Sequence, residues 1–460
     1  MRCAATGSCL TLLLLLSAAC PATPEAPRGV KPAAAGATKL AETLCISDER
    51  FRLGETAAEA EQRAWHLDRF EELAVGTLRH DLRWRLHEPA EGELHWEPFD
   101  AGIAEIASRG LEMIGILDYG VAWASSQTDT DSAFPPDDPA DFAAYAGRMA
   151  ARYGDRVRTL EIWNEQNSGF RFWKPQEDPA AYAELLHQAA AAVRGERPEA
   201  RVVYGGLFFH EQVITGALPF LQAHLEAHPH AGEDFDAFAF HPYPLYPPTA
   251  PPEGADEGQV PVDEMVEGVQ GVLDEHGLEH PLVVTEFGWP VYGEVSGELQ
   301  AAYLARETLW LLASGVELAC WFTMIDGRFT GTFPPEDDFG LFAWDPTTGE
   351  VGDAKPAWHA MNTLSHELGG LAFVEWIDDA LGLGNGAHAL LLADETGTTW
   401  AHALWSLDDR FAGEVVVPVV EGASLRAVNA LGVEVPFERV AGGARVAYGA
   451  LPVYLLGELP

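Results

Sequence analysis

The chain has 460 residues and a formal net charge of −43, with 71 acidic against 28 basic residues, and 47% of it is hydrophobic. This length predicts two or three domains, or one large domain with an appendage. The acidity argues against a nucleic-acid partner and against a polybasic contact with anionic lipid, because both depend on clustered lysine and arginine.

The first 38 residues are expected to precede the folded body. Residues 1–20 have a positively charged start, the apolar run Leu10–Leu16 and small residues before Cys20, which predicts an export signal too short to span a membrane. The segment resembles a bacterial lipoprotein signal, which implies a lipid anchor on Cys20 at the bacterial cell envelope. The alternative is cleavage near Ala19 and release to the periplasm or the medium. Residues 21–38, rich in Pro and Ala, are predicted to form a linker.

Residues 39–366 alternate short apolar runs with helical stretches, which is typical of βα units around a parallel sheet. The predicted strands are Thr43–Ser47, Val75–Asp81, Met113–Tyr119, Thr159–Asn164, Val202–Gly206, Ala237–His241, Leu282–Glu286 and Leu318–Thr323. The predicted helices are Ala57–Leu73, Phe99–Arg109, Pro139–Tyr153, Pro179–Arg194, Gly216–Ala227, Val262–His276, Gly297–Ala313 and Pro356–His366. Eight strands that are each followed by a helix predict an α/β fold, the (β/α)8 TIM barrel. Long loops at Val121–Asp138, Pro242–Pro261 and Asp326–Asp338 follow strands and would enlarge the active-site face of such a barrel.

Residues 367–460 show a different pattern, with short β-type runs separated by Gly-rich turn signals. The predicted strands are Ala387–Ala393, Thr399–Trp405, Glu414–Val420, Ser424–Val428, Ala444–Tyr448 and Val453–Leu456. We expect a small antiparallel β-sandwich domain that packs on the barrel.

Two strand ends carry carboxylates where a barrel enzyme holds its catalytic groups. The fourth predicted strand runs into Glu161–Asn167 (EIWNEQN) and the seventh into Val283–Trp289 (VVTEFGW), which puts Glu165 and Glu286 at the C-terminal end of the barrel. Strands four and seven face each other across a closed eight-stranded barrel. Glycosidic bond cleavage requires such a pair, because one carboxyl protonates the leaving oxygen while the other attacks or activates water. Either Glu alone would more simply be a cap or a salt-bridge partner.

These Trp-Asn-Glu and Thr-Glu-Phe-Gly segments resemble those of retaining glycoside hydrolases of clan A. Together with the following Phe172–Pro175 (FWKP), they most resemble glycoside hydrolase family 39, which includes β-xylosidases, α-iduronidases and exopolysaccharide-cleaving endoglycosidases. The resemblance covers the whole barrel. It implies that Glu165 is the general acid/base and Glu286 the nucleophile of a double displacement on an oligo- or polysaccharide.

The resemblance also implies polar substrate contacts. Asn164 would hydrogen-bond the 2-hydroxyl of the sugar being cleaved. Arg79, at the end of the second strand, would donate to the nucleophile and keep it ionised, with a structural Arg79–Asp81 pair as the alternative. His241 and Tyr243, at the end of the sixth strand, would approach the nucleophile and the bound sugar.

Aromatic side chains are the other expected substrate contacts, because their faces suit the apolar CH faces of sugars. Trp321, on the eighth strand, would be the platform on which the sugar stacks, although a packed barrel aromatic is the alternative. Trp123 and Trp173 follow the third and fourth strands and are candidates for further contacts.

The sequence has no Gly-rich phosphate loop, HExxH motif or nucleophile elbow, so we expect no cofactor and no metal. Cys45 and Cys320 fall on neighbouring barrel strands, and we expect free thiols because cross-strand geometry rarely suits a disulfide, although an exported protein can form one. Two other functions use the same barrel: a transglycosidase, and a non-catalytic carbohydrate-binding lipoprotein. The latter predicts the loss of one carboxylate, and both are present. The oligomeric state does not follow from the sequence.

Overall fold

The computed structural model describes residues 30–127, 133–209, 216–244, 248–254, 260–327, 337–408 and 410–459. The predicted export signal with Cys20, and parts of the three long loops, lie outside these residues. Within the described ranges, no helix is both long and apolar enough to cross a membrane.

Parallel strands form the centre of the first domain. They are β1 Leu44–Ser47, β2 Thr77–Arg83, β3 Glu112–Asp118, β4 Thr159–Ile162, β5 Arg201–Tyr204, β6 Leu207–Phe208, β7 Phe238–His241, β8 Leu282–Phe287 and β9 Leu318–Phe322. They pair in the order β5-β4-β3-β2-β1-β9-β8-β7-β6, and a bridge from Val203 to Ala237 links β5 to the start of β7. The predicted strand Val202–Gly206 overlaps β5 only, and β6 begins three residues after β5 ends. The two together occupy one position, so the sheet has eight strand positions, which confirms the TIM-barrel prediction.

Helices flank this sheet. They are α1 Leu40–Thr43, α2 Ala57–Leu73, α3 Trp84–His87, α4 Asp100–Ser108, α5 Pro139–Tyr153, α6 Pro179–Glu196, α7 Ala217–Ala227, α8 Val262–Glu275, α9 Gly297–Ala313 and α10 Pro356–Thr363. The side chains of Thr56, Asp138 and Asp178 accept backbone N–H groups at the starts of α2, α5 and α6, and these caps fix where the helices begin. A hairpin of β10 Phe342–Asp345 and β11 Glu350–Ala354 precedes α10.

The second domain is an antiparallel sandwich. Its strands are β12 Ala372–Trp376, β13 Ala387–Ala393, β14 Thr399–Ser406, β15 Gly413–Pro418, β16 Ser424–Asn429, β17 Phe437–Val440, β18 Gly443–Tyr448 and β19 Val453–Glu458, with the short helix α11 Asp378–Leu381. The sheets β12-β13-β14-β19-β16 and β15-β18-β17 enclose a core that includes Val417, Val446 and Leu455. Strands β12 and β17 were not among the predicted elements.

The sandwich joins the barrel through aromatic side chains. Trp310 of α9 packs against Trp376 of β12, with ring centroids 4.9 Å apart, and against Trp405 of β14. Trp405 Nε1 also donates to Glu253, a residue from a barrel loop, at 2.9 Å. The two domains therefore share a continuous hydrophobic core.

Residues 30–38 lie against the second domain, although the sequence assigned them to a linker. The backbone N–H of Ala33 donates to the carbonyl of Asp394 at 3.1 Å, and Lys31 pairs with Glu375 at 2.6 Å. Val30 packs beside a small core cluster of the sandwich. The folded body thus begins before residue 39, because this part of the Pro/Ala-rich stretch has polar and apolar partners.

Cys45 and Cys320 form a disulfide, so the expectation of free thiols is wrong. The two residues are directly paired in the β1–β9 register, with Cα atoms 4.1 Å apart. Closing the barrel places the first and last strands side by side, and this register brings the two sulfur atoms within bonding distance. The bond links segments 275 residues apart in the chain.

Candidate active site

The C-terminal ends of the barrel strands surround a cleft of about 360 Å³. Of the residues predicted from the sequence, Arg79, Asn164, Glu165, Tyr243 and Glu286 line it. They come from four different strands or the loops that follow them, as expected for this face of a barrel. The described structure therefore brings these five side chains together.

Glu165 follows β4 and Glu286 lies on β8, and their carboxylates approach each other in the cleft. Nδ1 of His241 is 2.8 Å from Oε1 of Glu165 and 4.0 Å from Oε2 of Glu286. One oxygen of each carboxylate lies within 4.8 Å of the other. This spacing matches the carboxyl separation of about 5–5.5 Å in retaining glycosidases, and is short of the about 6.5–9.5 Å that leaves room for water in inverting enzymes.

The backbone before Glu165 is strained. Trp163 has φ of 72° and Glu165 has φ of 48°, values in the left-handed region where non-glycine residues cost about 1–3 kcal/mol each. Hydrogen bonds hold the segment in place: Trp163 N–H donates to the carbonyl of Leu117 and Glu165 N–H to that of Gly206, at 2.9 and 3.0 Å. The two neighbouring strands thereby offset the strain and aim the Glu165 side chain into the cleft.

Gly206 allows a close approach at this point. Its N–H donates to Oε1 of Glu161 at 3.0 Å, and a Cβ added here would lie 2.2 Å from Nε2 of His241. A side chain would displace the imidazole, so only glycine fits between β5 and β6.

Arg79 connects most of the polar groups of the site. Its buried guanidinium donates twice to Glu161, at 2.7 and 2.9 Å, and once to Glu286 at 2.5 Å. It also donates to Asn164 Oδ1 at 2.8 Å and to Ser47 Oγ at 3.1 Å. The predicted contact with Glu286 is present, while the alternative partner, Asp81, pairs with Arg83 instead.

A hydrogen-bonded chain runs behind the two carboxylates. The Thr285 hydroxyl donates to Glu161 Oε1 at 3.2 Å, and Nε2 of His241 lies 3.1 Å from the Thr285 oxygen. Because the carboxylate only accepts, Thr285 must accept from Nε2–H, and Nδ1 of a neutral His241 is then an acceptor. A neutral His241 accepts at 2.8 Å from a protonated Glu165, whereas an imidazolium donates to the Glu165 carboxylate. The chain therefore holds one proton between the His241 imidazole and the candidate acid.

Burial raises the pKa of Glu286, and the nearby Glu165 carboxyl raises it further, whereas His241 and Arg79 oppose the shift. Two buried carboxyl groups this close bind a first proton readily, since both cannot easily be charged together. Arg79 donates to Glu286, so the anion is best stabilised there. Arg79 is thus the group that favours an ionised Glu286 against the effect of burial.

The aromatic predictions need correction. Trp321 is fully buried and packs edge-on against Phe287, so it is not a stacking platform. Its neighbour Phe322 lines the cleft, because consecutive strand residues point to opposite faces. Trp173 is also buried, between Trp163 and Tyr182.

Trp123 lies outside the cleft too. Its Nε1 donates to the carbonyl of Glu88 at 3.0 Å, and its ring packs edge-on against Trp84. Trp123 and Trp173 therefore support the walls of the barrel end rather than face the cleft.

Several cleft residues were missed or given no role from the sequence. Glu161 and Thr285 were quoted only within motifs, yet both are fully buried and complete the hydrogen-bonded chain. The sequence carried a signal for Glu161, because this carboxylate lies inside an apolar strand and a buried charge needs a partner. Tyr119 and Phe172 line the cleft as a stacked pair, and Tyr119 accepts from Asn164 Nδ2 at 3.1 Å.

Glu165, His241 and Glu286 present ligand atoms close enough to surround a cation. However, Arg79 already donates to Glu286, and His241 already bridges Glu165 and Thr285. The donor set therefore has partners within the protein and is arranged for proton transfer.

No protein-family model and no curated protein matches the sequence. Solved structures resemble the fold. A family 39 glycoside hydrolase from Bacteroides cellulosilyticus WH2 superposes with a TM-score of 0.72 at 20% identity, over 91% of this chain and 81% of that chain. A monomeric β-xylosidase from Caulobacter crescentus CB15 gives 0.64 at 19% identity, over 94% and 98%. A family 39 enzyme from Xanthomonas axonopodis pv. citri gives 0.63 at 17% identity, over 94% and 96%. The chain thus has the barrel-and-sandwich architecture found in family 39 glycoside hydrolases.

Proposed function

We propose that this protein is a retaining glycoside hydrolase. The observation that carries the proposal is the pair of carboxylates, Glu165 and Glu286, held within 4.8 Å of each other in a cleft at the catalytic end of the barrel. The similarity in fold to glycoside hydrolases of family 39 supports it.

In the first step, Glu286 attacks the anomeric carbon while Glu165 gives its proton to the leaving glycosidic oxygen. The bond to the leaving sugar breaks, and a glycosyl ester forms on Glu286. In the second step, the ionised Glu165 removes a proton from water, which displaces the ester and restores both carboxyl groups. No external cofactor takes part in either step.

Neighbouring side chains have supporting roles in this mechanism. Arg79 stabilises the anion of Glu286 before attack and fixes Asn164 through its Oδ1. The Asn164 amide is then positioned to hydrogen-bond the sugar 2-hydroxyl, a contact that strengthens in the transition state. Tyr243 and Phe322 both contact Phe339 and provide one aromatic surface for the bound sugar.

The charge of the cleft favours an uncharged glycan. Among its described lining residues are six carboxylates and three arginines. Two of those arginines, Arg79 and Arg83, are already paired with acids. A uronic acid would meet repulsion that these paired cations cannot offset. Neutral β-xylosides are the first probes of choice, because one structural neighbour is a β-xylosidase.

The test is a screen of neutral 4-nitrophenyl glycosides, followed by two variants. Glu286→Ala should abolish turnover and, with added azide, release a glycosyl azide, since the small anion can enter the vacated space. Glu112→Ala, an exposed glutamate on β3, is the matched control and should keep wild-type activity. Wild-type turnover by Glu286→Ala would rule out the nucleophile assignment.

Glu165→Ala should spare the first step for substrates with good leaving groups, because these need no proton. Slow release of phenols with high pKa and fast release of dinitrophenol is the expected pattern. An equal loss for all leaving groups would argue against the acid role. Product analysis with added acceptor sugars distinguishes hydrolysis from transglycosylation by the same residues.

We also propose that the mature protein is attached to the cell envelope through a lipid on Cys20. The sequence of residues 1–20 supports this assignment. Palmitate labelling that disappears in Cys20→Ser is the expected result. Unlabelled wild-type protein would instead favour release after cleavage near Ala19.

A further inference from the structure

A second cleft, of about 520 Å³, opens directly beside the first. The two share Glu49, which follows β1, and His80, Asp81 and Arg83, which lie in the second half of β2. Together they form one groove. A substrate bound at Glu286 can extend along it without leaving the protein surface.

The position of the second cleft identifies which end of a sugar chain would enter it. The leaving sugar must lie next to Glu165, after β4, where Phe172, Phe208 and Tyr243 line the first cleft. The second cleft lies at β1 and β2, and Glu165 and these three aromatic residues are not among its described lining residues. It is therefore placed for units on the glycone side, toward the non-reducing end.

The walls of the second cleft suit an uncharged sugar ring. Leu86 is 45% exposed and is the main apolar surface among the described lining residues. The lining also includes the almost fully buried Phe51, Leu53 and Phe99 and the charged Arg50, Arg52 and Glu59. Apolar surface of this kind packs against the CH face of a pyranose, while polar groups at the rim bind its hydroxyls.

Polar groups with unused hydrogen-bonding capacity stand at the junction of the two clefts. Among the described residues, the Glu49 carboxylate and Nε2 of His80 have no hydrogen-bond partner, whereas His80 Nδ1 contacts the carbonyl of Asp48 at 2.7 Å. Arg83 uses Nε and one terminal nitrogen on Asp81, and its side chain remains 36% exposed. Acceptors and donors are thus both available where two sugar units would meet.

We propose that the substrate is a neutral oligo- or polysaccharide with at least one further sugar unit on the glycone side, bound in the second cleft against Leu86 and hydrogen-bonded to Glu49 and Arg83. This inference rests on the proposed glycosidase function. It means that the enzyme prefers a chain to a single terminal sugar and releases products of two or more units.

The test compares 4-nitrophenyl monosides with the corresponding biosides, extended at the non-reducing end, in the xylo and gluco series. In the series that wild type accepts, kcat/KM for the bioside should exceed that for the monoside by about tenfold, as one well-packed sugar contact would provide. Leu86→Ala should shrink this ratio toward one. Leu94→Ala, which alters a comparably exposed leucine outside both clefts, should leave the ratio unchanged.

Equal kcat/KM for monoside and bioside in wild type would overturn the inference while leaving the glycosidase function standing. A ratio that survives Leu86→Ala and also Arg83→Ala would equally refute binding in this cleft. Failure of wild type to cleave any glycoside in the screen would overturn the function itself.

Discussion

Thr285→Val tests the hydrogen-bonded chain behind the candidate acid. The substitution keeps the shape of the side chain but removes the hydroxyl that accepts from His241 and donates to Glu161. A hydrogen bond to a charged group contributes about 1.5–3 kcal/mol, so we expect the free energy of unfolding to fall by about 2 kcal/mol. Without this acceptor, His241 can present Nδ1–H to Glu165, which then favours the ionised carboxylate.

The catalytic effect should fall on the proton-transfer step. General acid catalysis accelerates a reaction by about 10²–10⁴-fold. Thr285→Val keeps the acid but removes the hydrogen bond that orients His241, so we expect the rate to fall by about 10–100-fold. The loss should appear in kcat/KM for glycosides with poor leaving groups and be small for a dinitrophenyl glycoside. Steady-state kinetics across a series of substituted phenyl glycosides measures this dependence.

Thr308→Val is the matched control for this experiment. Thr308 is also fully buried, but its hydroxyl donates to the carbonyl of Leu304 within α9, away from the cleft. It should lower stability without changing the dependence on leaving group. A uniform loss across all leaving groups in Thr285→Val, or no loss, would refute the reasoning about His241 and Glu165.

Three further changes have defined outcomes. Gly206→Ala should lower kcat at least about tenfold, because the new methyl group collides with His241, and unchanged kcat would show that the imidazole can move freely. Replacing both Cys45 and Cys320 with Ser should destabilise the fold by about 2–5 kcal/mol in chemical denaturation, and no change would mean that the bond is absent in solution. Desolvation within the cleft and nearby carboxylates raise the pKa of Glu49 to about 7, so ionisation of Glu49 lowers the stability of the folded state as the pH rises from about 4.5 to 7. Glu49→Gln should therefore raise the melting temperature more at pH 8 than at pH 5, and an equal rise at both would contradict this.

The sequence predicts the barrel well because its helix boundaries have local causes. The observed ranges of α2, α5 and α9 match the predicted ones, and each begins at a polar cap that can be recognised in the sequence. β12 and β17 carry weaker alternation, and each is an edge strand that pairs with only one other strand, the next along the chain. Their existence follows from the assembled sandwich rather than from local pattern.

In the candidate site, too, some features follow from the predicted fold and others depend on strand register. The approach of Glu165 and Glu286 follows from the barrel closing, once their strands are identified. A shift of one residue along β9 decides whether Trp321 or Phe322 faces the cleft, and neither composition nor spacing predicts that shift. The disulfide of Cys45 likewise depends on the register of β1 against β9.

The two carboxylates on Arg79 have a consequence for the charge balance of a reaction cycle. In the proposed mechanism a sugar becomes esterified to Glu286, and that carboxyl then loses its negative charge while the guanidinium stays buried and positive. Glu161, which accepts two hydrogen bonds from Arg79 and is itself fully buried, remains as its counterion. The interior thus never holds an uncompensated cation, and the intermediate avoids the several-kcal/mol penalty that a lone buried charge would add. In the proposed mechanism, Glu161 would therefore stabilise the covalent intermediate although it does not line the cleft.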